Sequence, residues 1–147
     1  MNLVQRLEQW GDRHHPKWLD FLRIALGVFL CLKGVEFATN MSSVMGLMTG
    51  AMPFSSFMMV LISHYIVFAH TMGGFLLATG LLTRFACIIQ IPILLGAILF
   101  INLSPAMMQP FSELFLSILV LGLLIFFLII GSGPWSLDNV IERSSKK

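Results

Sequence analysis

The sequence predicts an all-α membrane protein, a four-transmembrane-helix bundle with both termini in the cytoplasm. Three observations lead to this fold class: the apolar composition, the length of the apolar runs and the placement of the basic residues. Of the 147 residues, 57% are hydrophobic and 11% are charged, whereas soluble proteins have about 25% charged residues. A water-soluble domain of this size has too little interior to bury so much apolar surface.

A helix needs about 20 predominantly apolar residues to cross about 30 Å of hydrocarbon. Four runs of the sequence meet this requirement, namely residues 18–38, 57–82, 84–101 and 111–130. Together they form one predicted membrane domain at residues 18–138. Residues 1–17 are then a cytoplasmic or interfacial leader, which lacks the pattern of a secretory signal, and residues 139–147 are a cytoplasmic tail.

Basic residues set the predicted orientation, because Lys and Arg in short connections favour the cytoplasmic side. They occur before the first run, after the second and after the fourth, at Arg6, Arg13, Lys17, Arg84, Arg143, Lys146 and Lys147. The other two connections contain neither Lys nor Arg. We therefore expect a multi-pass protein of the cell inner membrane. Its net charge of +2 suits anionic lipid on the inner leaflet and requires no nucleic-acid partner.

The connection between the first two runs, residues 40–56, lies on the predicted outer side and contains four methionines at helical spacing: Met41, Met45, Met48 and Met52. This spacing predicts a short helix at the outer surface. Thioether sulfur is a soft ligand that selects Cu(I), but Met also forms adaptable apolar linings. A Cu(I) carrier and an apolar cap are therefore alternative interpretations of this segment.

Helices pack in lipid through small residues that let their backbones approach. The first two runs contain six such residues at spacings that align them on helix faces: Gly27, Gly34, Ala69, Gly73, Gly74 and Ala78. The second run ends in a very short turn at residues 80–84, which predicts an antiparallel hairpin with the third. In the third run, Pro92 has no N–H to donate and predicts a bend beside Gln90.

The chain contains two cysteines, one in the first run and one in the third. Cys31 and Cys87 should differ in depth by about 10–15 Å, whereas a disulfide needs Cα atoms within about 7 Å, so we expect both thiols to be free. After the fourth run, glycine and proline at residues 131–134 end the helix. Trp135 then suits the headgroup level, and Ser136 can cap a short final helix.

Ionisable side chains at the centre of a bilayer cost about 2.5–3.5 kcal/mol each and tend to face a bundle interior. The predicted candidates for a ligand-binding pocket are Arg23, Lys33, Glu36, His64, His70, Gln90, Asn102 and Glu113. The outer half holds five of them, drawn from all four helices: Lys33, Glu36, His64, Asn102 and Glu113. Convergence of Lys33, Glu36, His64 and Glu113 at one depth would form a polar pocket open to the outside. Simpler alternatives are a neutralising pair of Lys33 and Glu36, a solvated Glu113 and a structural His70 near the midplane.

The segment 73–86, with Arg23 and Gly27 before it and residues 131–138 after it, resembles the DoxX family. The resemblance extends from residue 18 to residue 138. It implies a four-helix membrane bundle with inward polar residues on the first, second and fourth helices, here Arg23, His70 and Glu113. Many members place a glutamate where this chain has His70, so a mechanism that needs a carboxylate there does not carry over.

The sequence contains no phosphate loop, no metal-protease or paired-cysteine motif and no nucleophile elbow, which leaves at most a membrane subunit of an oxidoreductase. The resemblance implies an accessory subunit that binds a quinone or another lipidic small molecule, with His70 bonded to a quinone carbonyl. The alternative is a non-enzymatic membrane chaperone or a carrier of lipids or small molecules. Expected partners are membrane lipid and either a redox partner protein or a second copy.

Overall fold

The computed structural model describes residues 6, 10, 16–51, 55–102 and 111–145. Six α-helices lie within these ranges: α1 (Lys17–Thr39), α2 (Met41–Ala51), α3 (Ser56–Thr79), α4 (Thr83–Gly96), α5 (Phe111–Ile130) and α6 (Leu137–Ser145). A π-helix at Ala97–Asn102 continues α4. No strand occurs in the described ranges, so the predicted all-α class is confirmed for this part of the chain.

The four predicted apolar runs are helical, with differences at two of their ends. The run 57–82 passes beyond the end of α3, because Gly80 adopts the left-handed conformation (φ 71°) and its N–H bonds to carbonyls of the last turn, which closes the helix. The run 84–101 is not one regular α-helix, since it becomes a π-helix at Ala97.

Helix α6 occupies most of the segment predicted as a tail, residues 139–147. Ser136 begins this helix as predicted, because its Oγ accepts the N–H of Asn139 at 3.2 Å and so satisfies a donor of the first turn. The short helix predicted in the methionine-rich connection is α2. The predicted leader, residues 1–17, lies mostly outside the described residues.

The bundle has two ends, which we name from the path of α1. The proximal end is where α1 and α4 begin and α3 and α5 end, and α6 follows there. The distal end is where α1 meets α2. Helix α3 packs against α1 and α4, and α4 packs against α5. The chain therefore builds the bundle mainly from sequential neighbours around α3.

Glycines let α1 and α3 approach until their backbones are almost in contact. A Cβ on Gly27 would overlap the backbone nitrogen of Ala78, and one on Gly74 would lie 2.7 Å from the backbone nitrogen of Cys31. Further along, a Cβ on Gly34 would meet Oγ1 of Thr71. No side chain fits these positions without separating the helices, so the small residues set the distance between α1 and α3.

Polar side chains are buried while large apolar ones are exposed. Leu30, Leu77 and Phe127 form part of a buried apolar core, but the interior also contains Asp20, Arg23, Ser63, His70, Thr83, Gln90 and Ser136. By contrast, Phe21 is 74% exposed and Phe115 is 70% exposed. Such a surface is unfavourable in water and suits contact with hydrocarbon chains.

One helix of the described part, α3, is both long and apolar enough to cross a membrane by itself. Helix α1 has similar length but carries four charged residues beyond its first, which the structure joins in two ion pairs: Asp20 with Arg23 and Lys33 with Glu36. Helices α4 and α5 contribute shorter apolar stretches, Thr83–Leu99 and Leu114–Ile130.

Candidate functional site

The polar residues predicted to line one pocket lie in three places along the bundle. Arg23 is at the proximal end, and His70 and Gln90 are halfway along. Lys33, Glu36 and His64 are towards the distal end. For Asn102 and Glu113 the structure describes the backbone alone, so these two predictions lie outside the described side chains.

At the proximal end, Arg23 and Asp20 form a fully buried ion pair, with 3.1 Å between Nη1 and Oδ1 and no exposed side-chain surface. Arg23 Nη2 also donates to the carbonyl of Trp135 at 2.9 Å. Asp20 Oδ2 accepts the N–H of the same residue at 3.2 Å. We call this arrangement the Asp20–Arg23 clamp, because it holds the backbone of the segment after α5 against the first turns of α1.

The turn between α3 and α4 is held by the same segment. Asp138 Oδ1 accepts the N–H of Leu82 at 3.1 Å, and the N–H of Asp138 donates to the carbonyl of Gly80 at 3.3 Å. Arg84 adds a bond from Nη2 to the carbonyl of Ile129 at 3.4 Å. The glycines, the Ser136 region and Asp138, on which the family resemblance rests, therefore form a structural closure of the bundle at this end.

Sequence reasoning placed Arg23 in the candidate pocket but missed its partner Asp20. The signal was present, because an acid three residues before an arginine faces it across one helical turn. The same spacing predicts the pair of Lys33 and Glu36. In the structure Arg23 faces backbone and Asp20, so its role in the described part is to brace the fold.

Two residues of the α3–α4 turn have left-handed backbones and give a matched test of this closure. We expect Gly80→Ala to lower the stability by about 1–2 kcal/mol, the cost of a left-handed conformation for a residue with a Cβ, with more from the clash. Its Cβ would lie 2.6 Å from that of Ser136 and 2.9 Å from Nη2 of Arg23. Leu82 already has φ 48°, so Leu82→Gly should be at least as stable as the parent. Thermal unfolding in detergent measures both, and equal losses in the two variants would contradict this account.

Halfway along the bundle, His70 lies between α3 and α1. It is 5% exposed, its Nδ1 is 3.0 Å from the carbonyl of Ile66, and its ring meets that of Phe37 edge-on with centroids 5.4 Å apart. A carbonyl can only accept, so Nδ1 carries the proton, and in the neutral ring Nε2 is an acceptor. The predicted bond from His70 to a quinone carbonyl needs a donor at Nε2, and it stays a prediction.

Gln90 ties α4 to α3 near the same level. Its Nε2 donates to the carbonyl of Ala69 at 2.6 Å, while its Oε1 is buried and accepts no hydrogen bond from the described residues. Gly73 makes this approach possible, because a Cβ there would lie 2.6 Å from the amide nitrogen. The hydroxyl of Tyr65, on α3, likewise donates to the carbonyl of Ile89 on α4 at 3.4 Å, near the backbone that Pro92 interrupts.

Towards the distal end, Lys33 and Glu36 are bonded to each other at 2.8 Å, with 33% and 55% of their side chains exposed. His64 is exposed, and its Nδ1 is 2.8 Å from the carbonyl of Val60 in its own helix. The described contacts of these three residues thus stay within single helices. The simpler interpretation of Lys33 and Glu36, a neutralising pair, describes what the structure shows.

Neither metal nor disulfide chemistry is indicated in the described ranges. They contain no group of three or more His, Cys, Asp or Glu side chains that could hold a metal ion. Cys31 and Cys87 are free, as expected, and the Cys31 thiol donates to the carbonyl of Thr71 at 3.2 Å. Of the four methionines for which Cu(I) binding was an alternative interpretation, Met41 and Met45 are half-buried, and the side chains of the other two lie outside the description.

An apolar groove runs between α1 and α5. It has a volume of about 520 Å³, and its walls include Trp18, Leu19, Leu22, Phe115, Gly122 and Phe126. None of the eight predicted pocket residues lines it. Sequence reasoning missed this groove, because it depends on how far apart two distant helices lie and not on any local pattern.

The fold and these sites define an all-helical membrane protein whose buried polar groups brace the bundle and whose outer surface is apolar. A profile of the DoxX family matches residues 18–103, more than half of the chain. The chain therefore belongs to the DoxX family, as its motifs predicted. Neither the curated proteins nor the solved structures yielded a match.

Proposed function

We propose that α1, α3, α4 with its π-helical continuation, and α5 each cross the cell inner membrane, with both termini in the cytoplasm. The placement of the described basic residues supports this orientation. Lys17, Arg84 and Arg143 all belong to helices at the proximal end, whereas α2 at the distal end has neither Lys nor Arg. Because basic residues favour the cytoplasmic side, the proximal end is the cytoplasmic one.

Within this membrane we propose that the protein is a non-catalytic accessory subunit that binds a lipidic small molecule by its hydrocarbon tail. The observation that carries the proposal is the groove between α1 and α5, which is lined almost entirely by apolar side chains. The lining residues from Phe115 to Phe126 extend about 16 Å along α5, at 1.5 Å per residue. A long aliphatic or prenyl chain fits such a shape.

The lining favours a flexible chain over the helix of another protein. Helices in lipid pack through pairs of small residues four apart. Gly122 is the small residue of this groove, but its neighbours four residues away are Ile118 and Phe126, which also line it. These bulky walls hold a helix backbone away, whereas a methylene chain can pass between them.

A quinone is one lipidic molecule that could bind in this way, with its prenyl tail in the groove. His70 does not complete that site, because it packs against Phe37 in the distal half of α1, while the groove reaches α1 at Trp18, Leu19 and Leu22. The apolar lining supports tail binding without headgroup chemistry. A lipid carrier or membrane chaperone, acting alone or with a partner protein or second copy, is therefore the second candidate.

The test is native mass spectrometry of the detergent-purified protein, which reads the bound small molecules. We expect one lipidic molecule on the parent and on Gly96→Trp, since Gly96 has open space around it and does not line the groove. Gly122→Trp places an indole in the groove and should lower the occupancy, because the indole takes the space of the tail, and the displaced tail finds an equally apolar environment in the detergent.

Two results would overturn the tail-binding proposal. One is unchanged occupancy in Gly122→Trp. The other is loss of the ligand in His70→Ala with retention in Gly122→Trp, which would place the ligand at the middle of the bundle. A quinone bound to the parent protein would identify quinones as the ligand class. Ordinary phospholipid bound in its place would favour the second candidate, a lipid carrier.

A further inference from the structure

Helix α6 has one apolar face that nothing in the described chain covers. Its apolar residues Leu137, Val140 and Ile141 are 45%, 57% and 58% exposed, and no residue of the helix is buried. At 100° per residue these three side chains share one face. Asn139 and Arg143 lie on the opposite side, so the helix is amphipathic.

The helix begins at the level where the bundle presents two exposed tryptophans. Trp18 is 64% exposed in the first turn of α1, and Trp135 is 60% exposed two residues before α6. The Asp20–Arg23 clamp fixes the backbone of Trp135 beside the first turns of α1, so the two indoles belong to the same end of the bundle. Tryptophan is enriched at the boundary between headgroups and hydrocarbon, which places the start of α6 at that boundary.

The first turn of α6 is tied to the bundle. Asp138 is bonded to both Leu82 and Gly80, so its carboxylate faces the α3–α4 turn. Leu82 itself is 54% exposed. The start of α6 is therefore held at the depth of this turn.

We propose that α6 lies in the plane of the membrane interface, with Leu137, Val140 and Ile141 inserted into the headgroup and acyl boundary of the bilayer that holds the bundle. With nine residues it is about 13 Å long, too short to cross. Arg143 lies on the polar side, and the sequence continues with Lys146 and Lys147, which suit anionic headgroups. This placement does not depend on the ligand proposed for the groove.

The test uses an environment-sensitive fluorophore on the whole protein in vesicles of phosphatidylethanolamine and phosphatidylglycerol. Ile141→Cys and Arg143→Cys carry the probe on nearly opposite sides of α6, and the labelled parent supplies the background from Cys31 and Cys87. We expect the probe at 141 to be blue-shifted, quenched by nitroxide-labelled acyl chains and protected from aqueous iodide. The probe at 143 should show the reverse.

Two outcomes would contradict this placement of α6. Equal iodide quenching at 141 and 143 would show a helix standing free in water. Protection from iodide at 141 without quenching by acyl-chain nitroxide would show that protein, such as a second copy, covers the apolar face. Replacing phosphatidylglycerol by a zwitterionic lipid should lower the nitroxide quenching at 141, since Arg143, Lys146 and Lys147 then lose their anionic partners. Unchanged quenching would contradict the role assigned to those charges.

Discussion

Arg23→Met is expected to lower the free energy of unfolding by about 3–5 kcal/mol, the cost of removing one partner from a buried ion pair. The Asp20 carboxylate, which has no exposed surface, would lose the guanidinium of Arg23. The carbonyl of Trp135 would also lose its donor. Thermal or denaturant unfolding of the purified protein in detergent measures the loss.

Two further variants separate the ion pair from general disruption. The double variant Asp20→Leu/Arg23→Met removes both charges and should recover much of the loss, because an apolar replacement of a whole buried pair is often neutral or stabilising. Lys33→Met breaks an ion pair of the same spacing that is partly exposed, and it should cost at most about 1 kcal/mol. A double variant less stable than Arg23→Met would contradict the clamp as described.

Gly27→Ala is the second change for which we expect a large effect, a loss of about 1–3 kcal/mol from overpacking. The added methyl would overlap the backbone nitrogen of Ala78 and lie 2.6 Å from the carbonyl oxygen of Gly74. Backbone atoms cannot rotate aside as a side chain can, so α1 and α3 must separate. Denaturant unfolding in detergent detects the loss.

Gly96→Ala is the matched control, because a Cβ at Gly96 meets nothing within 4 Å. Alanine is favoured over glycine within a helix by about 0.5–1 kcal/mol, so this variant should be slightly more stable than the parent. The two substitutions thus have opposite signs although the chemical change is identical. If Gly27→Ala were as stable as Gly96→Ala, the close contact of α1 and α3 would be wrong.

Features that depend on one segment could be predicted from the sequence. Apolar runs gave the helices, and the side-chain hydroxyl of Ser136 marked the start of α6. Gly27 and Gly74 were recognisable as packing residues because lipid offers no other reason for aligned small residues. Each of these predictions uses residues within a few positions of one another.

Features that depend on several segments could not be predicted in this way. The polar residues were assigned by depth to one pocket, but depth does not give the direction in which a side chain faces. His64 and Glu36 proved to be exposed, whereas Arg23 faces the backbone of Trp135, 112 residues away. The groove between α1 and α5 likewise has no counterpart in any local pattern.

The Asp20–Arg23 clamp also bears on the order in which the bundle can be assembled. Its two charged residues are one helical turn apart, so they can neutralise each other in α1 as soon as that helix exists. Their backbone partner, Trp135, lies 115 residues after Asp20 and is synthesised roughly 6–23 seconds later at about 5–20 residues per second. The first helix can therefore enter the bilayer with its charges already compensated, and the bond that closes the bundle waits until Trp135 has left the ribosome.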